Sequence, residues 1–264
     1  MSEMNAVNKT LYIPLYGKAM VSRKKIILKD PKAEMIWENE GFTLKGKSKS
    51  KWLAYYMAMR AAMFDSWTRK KLREYSEAVV LHLGCGLDSR CERVGKEAKL
   101  WYDIDFPEVI EERKKYYTAD AGYRMLGEDV RKAGWLDSVP KAEQGIVIME
   151  GISMYLPLRD LVELLGALKE HFGEIHLLMD AYTEFAVKAS RYKNPIKDVG
   201  AEAITGIDYP EYIADQTGLD YVCEHNMTPK ILIDQLERSE RKLFKTLFGG
   251  AIARKLYRLY EYET

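Results

Sequence analysis

Apolar positions recur along this chain with two different periods, and the change from one to the other divides it. From about Met1 to Ser76 the spacing is that of helices. "KDPKAEMIWENEG" predicts a helix with Asp30 as cap, Pro31 at the first position and Gly41 as stop. "SKSKWLAYYMAMRAAMFDSWTRKKLREY" predicts a longer one, whose Met, Ala and aromatic stripe reads as core packing. From Glu77 to about Thr183, short apolar runs alternate with amphipathic stretches. "AVVLHLG", "KLWYDID", "YRMLGED", "GIVIMEG" and "EIHLLMDAYT" read as five strands, with helices in "FPEVIEERKKYY" and "LRDLVELLGALKEHFG". That alternation implies right-handed crossovers and a mostly parallel sheet with helices on both faces. Beyond Glu184 the pattern loosens into turn residues and short helical pieces, as expected of a cap inserted after the fifth strand. "LDYVCEHNM" then reads as a strand, "TPKILIDQLERSERKLF" as one helix and "ARKLYRLYEYE" as a closing strand, making seven strands in all. The expected organisation is an N-terminal helical segment, 1–76, and an α/β core, 77–264, with the cap at about 184–217.

Composition narrows the class without changing the outline. Across 264 residues, 41 basic and 40 acidic side chains nearly cancel, so no footprint for nucleic acid or an anionic membrane is visible. The three cysteines, Cys85, Cys91 and Cys223, lie at no metal-like spacing and suit a reducing compartment. No metal site is expected. Neither a signal peptide nor a membrane-spanning run is legible, which makes the cytoplasm the expected location.

The stretch "VVLHLGCGLDSRCERV" has the look of a dinucleotide loop until Asp88 and Ser89 take the place of a third glycine. In an open parallel sheet, ligands bind at the carboxyl ends of the strands, and Gly84 and Gly86 stand there. An acid at position 88 repels a diphosphate but could cap the helix that follows. In "WYDIDFP", Asp103 and Asp105 end the second strand on one side of it, and either carboxylate could accept hydrogen bonds from two ribose hydroxyls. A nucleoside without phosphates suits such a loop better than a dinucleotide does. S-adenosylmethionine, a cationic sulfonium, fits that description.

"LGCGLDSRCERV" followed by "YDIDFPEVIEERKKYY", with Asp129–Val130, "EGISMYLP" and the leading "LYIPLYGKAM", resembles the leucine carboxyl methyltransferase family. The likeness is to its bacterial and archaeal branch, which is similar to the tetracenomycin-type O-methyltransferases, and it covers roughly residues 10 to 160. The resemblance implies a Rossmann-like S-adenosylmethionine-dependent methyltransferase fold. It also implies residue roles. Arg60 would hold the cofactor's methionine carboxylate, with Lys18 as a further contact. Gly84 would approach it through backbone, with Gly86 in the same loop. Asp105 would take the ribose hydroxyls, Asp129 and Val130 would read adenine, and Glu150 would sit near the methionine amino group. The residues themselves leave a surface ion pair with Asp65 open for Arg60, and a plain loop role open for Asp129.

Methyl transfer from a sulfonium is an in-line displacement that needs chiefly alignment and exclusion of water. A carboxylate acceptor is already ionised at pH 7, whereas a phenol benefits from a base. None of His82, His171, His176 and His225 falls at the carboxyl end of the fourth or fifth strand, so an acceptor that needs no base is favoured. The expected acceptor wall is Ser153, Met154, Tyr155 and Tyr182, with Tyr155 facing the acceptor. Tyr192, Tyr209 and Tyr212 are cap aromatics that could serve packing or a lid. The acceptor is a small molecule or a carboxyl-terminal peptide. Two alternatives stay open: an adenosyl-ligand-binding protein without catalysis, and a nicotinamide-dependent oxidoreductase, which Asp88 opposes.

Overall fold

The apolar runs of the middle section become strands β1 (Val79–Leu83), β2 (Leu100–Asp105), β3 (Tyr123–Gly127), β4 (Gln144–Met149) and β5 (Glu174–Tyr182), and the tail adds β6 (Asp220–Glu224) and β7 (Tyr257–Glu263). They form one seven-stranded sheet in the order β3-β2-β1-β4-β5-β7-β6. β1 to β5 are parallel, and β7 runs antiparallel between β5 and β6. The computed structural model describes residues 8–264 apart from 42, 45, 96–97, 133, 194–203 and 250–252; the side chains of 8–9 and 191–193 are also outside the described set.

Strand β1 shows why the sheet sits in the middle of the molecule. All five of its residues are buried, as expected when both faces are covered. Val79, Leu81 and Leu83 join a cluster with α6 (Leu158–His171) and α8 (Pro210–Thr217). Val80 points the other way, into a cluster with α1 (Tyr12–Arg23), α2 (Pro31–Glu40) and α3 (Lys51–Glu74). The Asp30 cap forms as expected: its carboxylate accepts from Ala33 N at 2.9 Å, and Gly41 closes α2 at φ +61°.

Three sequence expectations change. The single helix expected over "TPKILIDQLERSERKLF" is two, α9 (Lys230–Ile233) and α10 (Arg238–Phe248), because the chain turns at Asp234–Glu237 and Glu240 N restarts on Glu237 O. The closing strand begins at Tyr257, after a turn at Lys255 and Leu256, with Ala253 and Arg254 helical. Asp88 does not cap α4 (Arg90–Val94): Ser89 holds that position with no side-chain cap bond, and Asp88 is drawn instead to Lys18, Arg93 and Arg90. Two further α-helices are α5 (Pro107–Arg113) and α7 (Glu184–Lys193), and short 3-10 turns include Ser153–Tyr155. No helix among the described residues is long and apolar enough to cross a membrane.

Candidate active site

Strand order reverses between β1 and β4, and a cavity of about 550 Å³ opens at the carboxyl ends of β1, β2 and β4, walled by α1 and α3. That volume lies within the range of about 300–1,000 Å³ usual for small-molecule sites.

The glycine loop makes the cavity's floor. Gly84 has φ +67°, and a Cβ added there would lie 2.6 Å from Ile152 Cγ2, so both backbone sign and space require glycine. Gly86, at φ +52°, donates its N–H to Asp105 Oδ2 at 2.8 Å, while Asp105 Oδ1 accepts from Phe106 N at 2.8 Å. Each carboxylate oxygen thus keeps acceptor capacity and a fixed direction. Burial pushes the Asp105 carboxyl up to about 6 against the pull of those two backbone N–H groups. Asp103, two residues earlier, is removed from candidacy. It is fully buried and engaged by Arg113, His82, Trp101 and Tyr123. Burial opposes its ionisation, but Arg113 and His82 overcome that and hold its carboxyl down at about 2.

Arg60 is not on a surface, and it does not pair with Asp65. It is 3% exposed. Its Nε donates to Glu150 Oε1 at 3.0 Å, and its Nη1 to Asp180 Oδ2 at 2.8 Å and to Tyr257 O–H at 2.7 Å. The remaining Nη2 has no hydrogen-bond partner among the described residues, and the guanidinium borders the cavity beside Gly151, where an added Cβ would approach both Nη atoms to 3.4 Å. Glu150 spends its second oxygen on Arg90. Burial opposes charge on Glu150, yet Arg90 and Arg60 outweigh it and keep the carboxyl below its usual range. For Asp180 burial prevails over Arg60, and its carboxyl is raised.

This pairing continues as a buried ladder. Arg90 Nε reaches Asp65 at 2.9 Å, Arg93 bridges Asp65, Asp30 and Asp88, and Lys18 meets Asp88 at 2.5 Å. Unpaired, each of these charges would cost several kcal/mol of desolvation. Paired, they tie α1, α3 and α4 to the strand ends. His82 belongs to the same network. Arg90 Nη1 can only donate, so its 3.1 Å contact makes His82 Nε2 the acceptor and places the proton on Nδ1, facing Asp103. Burial lowers the His82 pKa, consistent with a neutral ring.

At the far end, Asp129 and Val130 border the cavity after β3. Asp129 is clamped by Arg131, whose Nε and Nη2 lie 2.8 and 2.7 Å from its two oxygens and hold its carboxyl low. Met154, Tyr155 and Tyr182 also line the cavity. Burial raises the Tyr155 phenol, which also hydrogen-bonds Thr10. Ser153 does not belong to that wall. It is fully buried, its hydroxyl donates to Asp180 O, and it lies outside the lining. Tyr209 and Tyr212 are exposed and also away from the lining, and Tyr192 lies outside the described side chains.

Sequence reasoning missed Asp180, Tyr257 and Arg90, which orient Arg60 and Glu150. Asp180 had a legible signal, a carboxylate inside the apolar run "HLLMDAY". Tyr257 had none, because it arrives from 197 residues away along the chain.

With this geometry in place, the chain can be set beside known proteins. A profile of the leucine carboxyl methyltransferase family matches residues 6–169. The tetracenomycin polyketide synthesis O-methyltransferase TcmP of Streptomyces glaucescens is 31% identical over 209 residues, spanning 78% of this chain and 77% of that one. The S-adenosyl-L-methionine-dependent methyltransferase dpfgK of Gibberella zeae is 26% identical over 242 residues, 83% and 81% of the two chains. Among solved structures, an S-adenosylmethionine-dependent methyltransferase from Mesorhizobium loti aligns with TM-score 0.53 at 11% identity, covering 76% of this chain and 98% of that one. Magnesium protoporphyrin IX methyltransferase from Synechocystis PCC 6803, with bound SAH, aligns with TM-score 0.52 at 10% identity over 87% and 93%. At such identities the structural likeness speaks to fold alone, and the fold is the Rossmann-like one of these methyltransferases. Family profile and sequence relatives together place the protein: it belongs to the leucine carboxyl methyltransferase family and is an S-adenosylmethionine-dependent O-methyltransferase.

Proposed function

We propose that the cavity holds the adenosyl cofactor between Arg60 and Asp129, and that the acceptor is a carboxylate presented against Tyr155 and Tyr182. The charge of the wall carries this reading. Five carboxylates (Asp88, Asp105, Glu128, Asp129, Glu150) line the cavity against three cations (Lys18, Arg60, Arg131). Such a wall suits a sulfonium and repels a diphosphate, and the bare backbone at Gly84 and Gly86 permits close approach. Arg60 Nη2 would take the methionine carboxylate, and Glu150 would face the amino group. Asp105 would accept from the ribose hydroxyls, and Asp129 and Val130 would border adenine. Lys18 acts through Asp88 rather than on the ligand. When bound, S-adenosylmethionine supplies an electrophilic methyl group.

The protein's own task is then to align an acceptor oxygen and keep water away. Tyr155, Tyr182 and Met154 do this on one side, and Ala186 and Ser190 of α7 on another, which supports a cap role for segment 184–217. Among the described residues on that side, Met154, Tyr155, Tyr182, Ala186 and Ser190, there is no imidazole or carboxylate to remove a proton. His82, the imidazole in the described lining, already commits both nitrogens, and the lining carboxylates Asp88, Asp129 and Glu150 are held charged by arginines and Lys18. An acceptor ionised before it arrives fits best.

Calorimetry with S-adenosylhomocysteine and NAD, followed by a methyl-transfer screen of aromatic carboxylic acids against matched phenols, tests both halves. The adenosyl ligand is expected to bind and NAD not, and the acids to be methylated at pH 7. The Tyr155→Phe variant should slow turnover of its best acid by about tenfold, one lost hydrogen bond to a charged group. Adenosyl binding without transfer to either class would favour a non-catalytic binding protein. No adenosyl binding at all would overturn the reading.

A further inference from the structure

Outside the methyl-transfer cavity, at the antiparallel edge of the sheet, the chain assembles three side chains of the kind that hold metals. Cys223 on β6 stands in register opposite Glu261 on β7, and a register shift between Tyr221 and Cys223 brings them face to face. His225, two residues on, returns to the same face and continues the ladder through its N–H to Leu259 O at 2.8 Å. His225 Nε2 lies 2.6 Å from Glu261 Oε2, Cys223 Sγ lies 3.5 Å from that nitrogen, and Sγ lies 3.8 Å from that oxygen. We propose that Cys223, His225 and Glu261 form a binding site for a borderline-soft divalent cation of the zinc type.

The distances support this directly. Zinc bonds of about 2.3 Å to sulfur and about 2.0–2.1 Å to nitrogen and oxygen, at tetrahedral angles, need donor separations of about 3.5 Å from sulfur and about 3.3 Å from nitrogen to oxygen. Both sulfur edges are already near that value, and only the proton-bridged His225–Glu261 edge must open, by about 0.7 Å once the cation replaces the proton. Thiolate and carboxylate supply two negative charges, and sulfur with imidazole selects zinc over calcium or magnesium. The supporting shell also exists: Lys71 holds the other oxygen of Glu261 at 3.1 Å and is itself balanced by Glu263 at 3.6 Å. Burial and the Glu261 carboxylate raise the Cys223 thiol against the pull of Lys70 and Lys71 on α3, so the cation must displace the thiol proton as it binds. An ion can enter from solvent, since the His225 side chain is 27% exposed while Glu261 is 8% exposed. The first two donors sit at C-x-H spacing, unlike the longer intervals of familiar zinc motifs. The third comes from the facing strand, which is why the sequence expectation of no metal site could not anticipate it.

Bound there, the cation would staple edge strand β6 to β7. The test strips the purified full-length protein with chelator and titrates it with Zn²⁺ against a chromophoric competitor. One equivalent is expected to bind, with a thiolate charge-transfer band when Co²⁺ is used. Saturating Zn²⁺ should raise Tm by roughly 5 °C. In Cys223→Ser the charge-transfer band is lost and Zn²⁺ affinity falls by about 100-fold or more, and His225→Gln weakens binding comparably while keeping the thiol. S-adenosylhomocysteine affinity should be unchanged in both variants, showing that they fold. Zn²⁺ stoichiometry near zero, or equal affinity in parent and Cys223→Ser, overturns the proposal.

Discussion

An Arg60→Met protein is expected to lose about 3–5 kcal/mol of stability, because the change strands Glu150 and Asp180 as buried carboxylates beside each other. Glu150 keeps Arg90, so the heavier burden falls on Asp180, which retains Gly151 N at 2.7 Å and Tyr257. Pairing Arg60→Met with Asp180→Asn should return part of the loss, since the second change removes the stranded charge while keeping an acceptor for Gly151 N–H. Arg60→Lys should fall between, as an ammonium cannot hold Nε and Nη1 positions on two elements at once. Urea unfolding of the four proteins measures the stability effects. Calorimetry with S-adenosylhomocysteine on the folded variants separates them from ligand binding. Affinity equal to the parent's in Arg60→Met/Asp180→Asn would end the case for Arg60 as the carboxylate clamp.

Binding of the same ligand should rise with pH through about 6, then level off, because only ionised Asp105 can accept from two ribose hydroxyls. Below that pH the expected loss approaches tenfold per unit. Folding stability carries the opposite sign. The Asp105 carboxyl sits near 6 when folded and about 3.9 when unfolded, so the folded chain binds the extra proton between those values. Its contribution to stability is therefore fully present below about pH 4 and lost as pH rises through about 6. Asp105→Asn should abolish the pH dependence of binding and weaken it by about 10–100-fold at pH 8, the worth of a charge-assisted hydrogen bond. It should also cost stability, because one amide NH2 must then face the N–H of Gly86 or Phe106. An affinity profile flat from pH 5 to 8 in the parent would remove Asp105 from the ribose.

The same division runs through the whole site. Gly84, Gly86 and Asp105 were legible because the loop is local: strand end, tight turn and acid follow from positive φ and from alternation along β2. The carboxylate ladder was not legible in that way. The residues alone left a helix-surface ion pair open for Arg60, because a periodic pattern shows which face of α3 is apolar, not which strand end that face will cover. Once α3 crosses β4 and β5, Glu150 and Asp180 lie under it. Ser153 shows the opposite error, a residue placed on the wall by proximity in sequence whose hydroxyl is turned inward to Asp180 O.

What the sequence by itself determined is the set of elements whose signals are short-range. These are seven strands, the Asp30-capped helix, and a glycine loop ending in an acid where a parallel sheet binds ligands. Only the tertiary structure decided where β7 inserts, which charges neutralise one another, and that Asp88 pairs with Lys18 rather than capping a helix. It also brought Cys223 and His225 opposite Glu261. The physical reason is that a buried charge takes whichever partner the fold brings within reach, and for Lys18–Asp88, Arg60–Glu150 and Arg60–Asp180 those partners lie 70 to 120 residues apart along the chain.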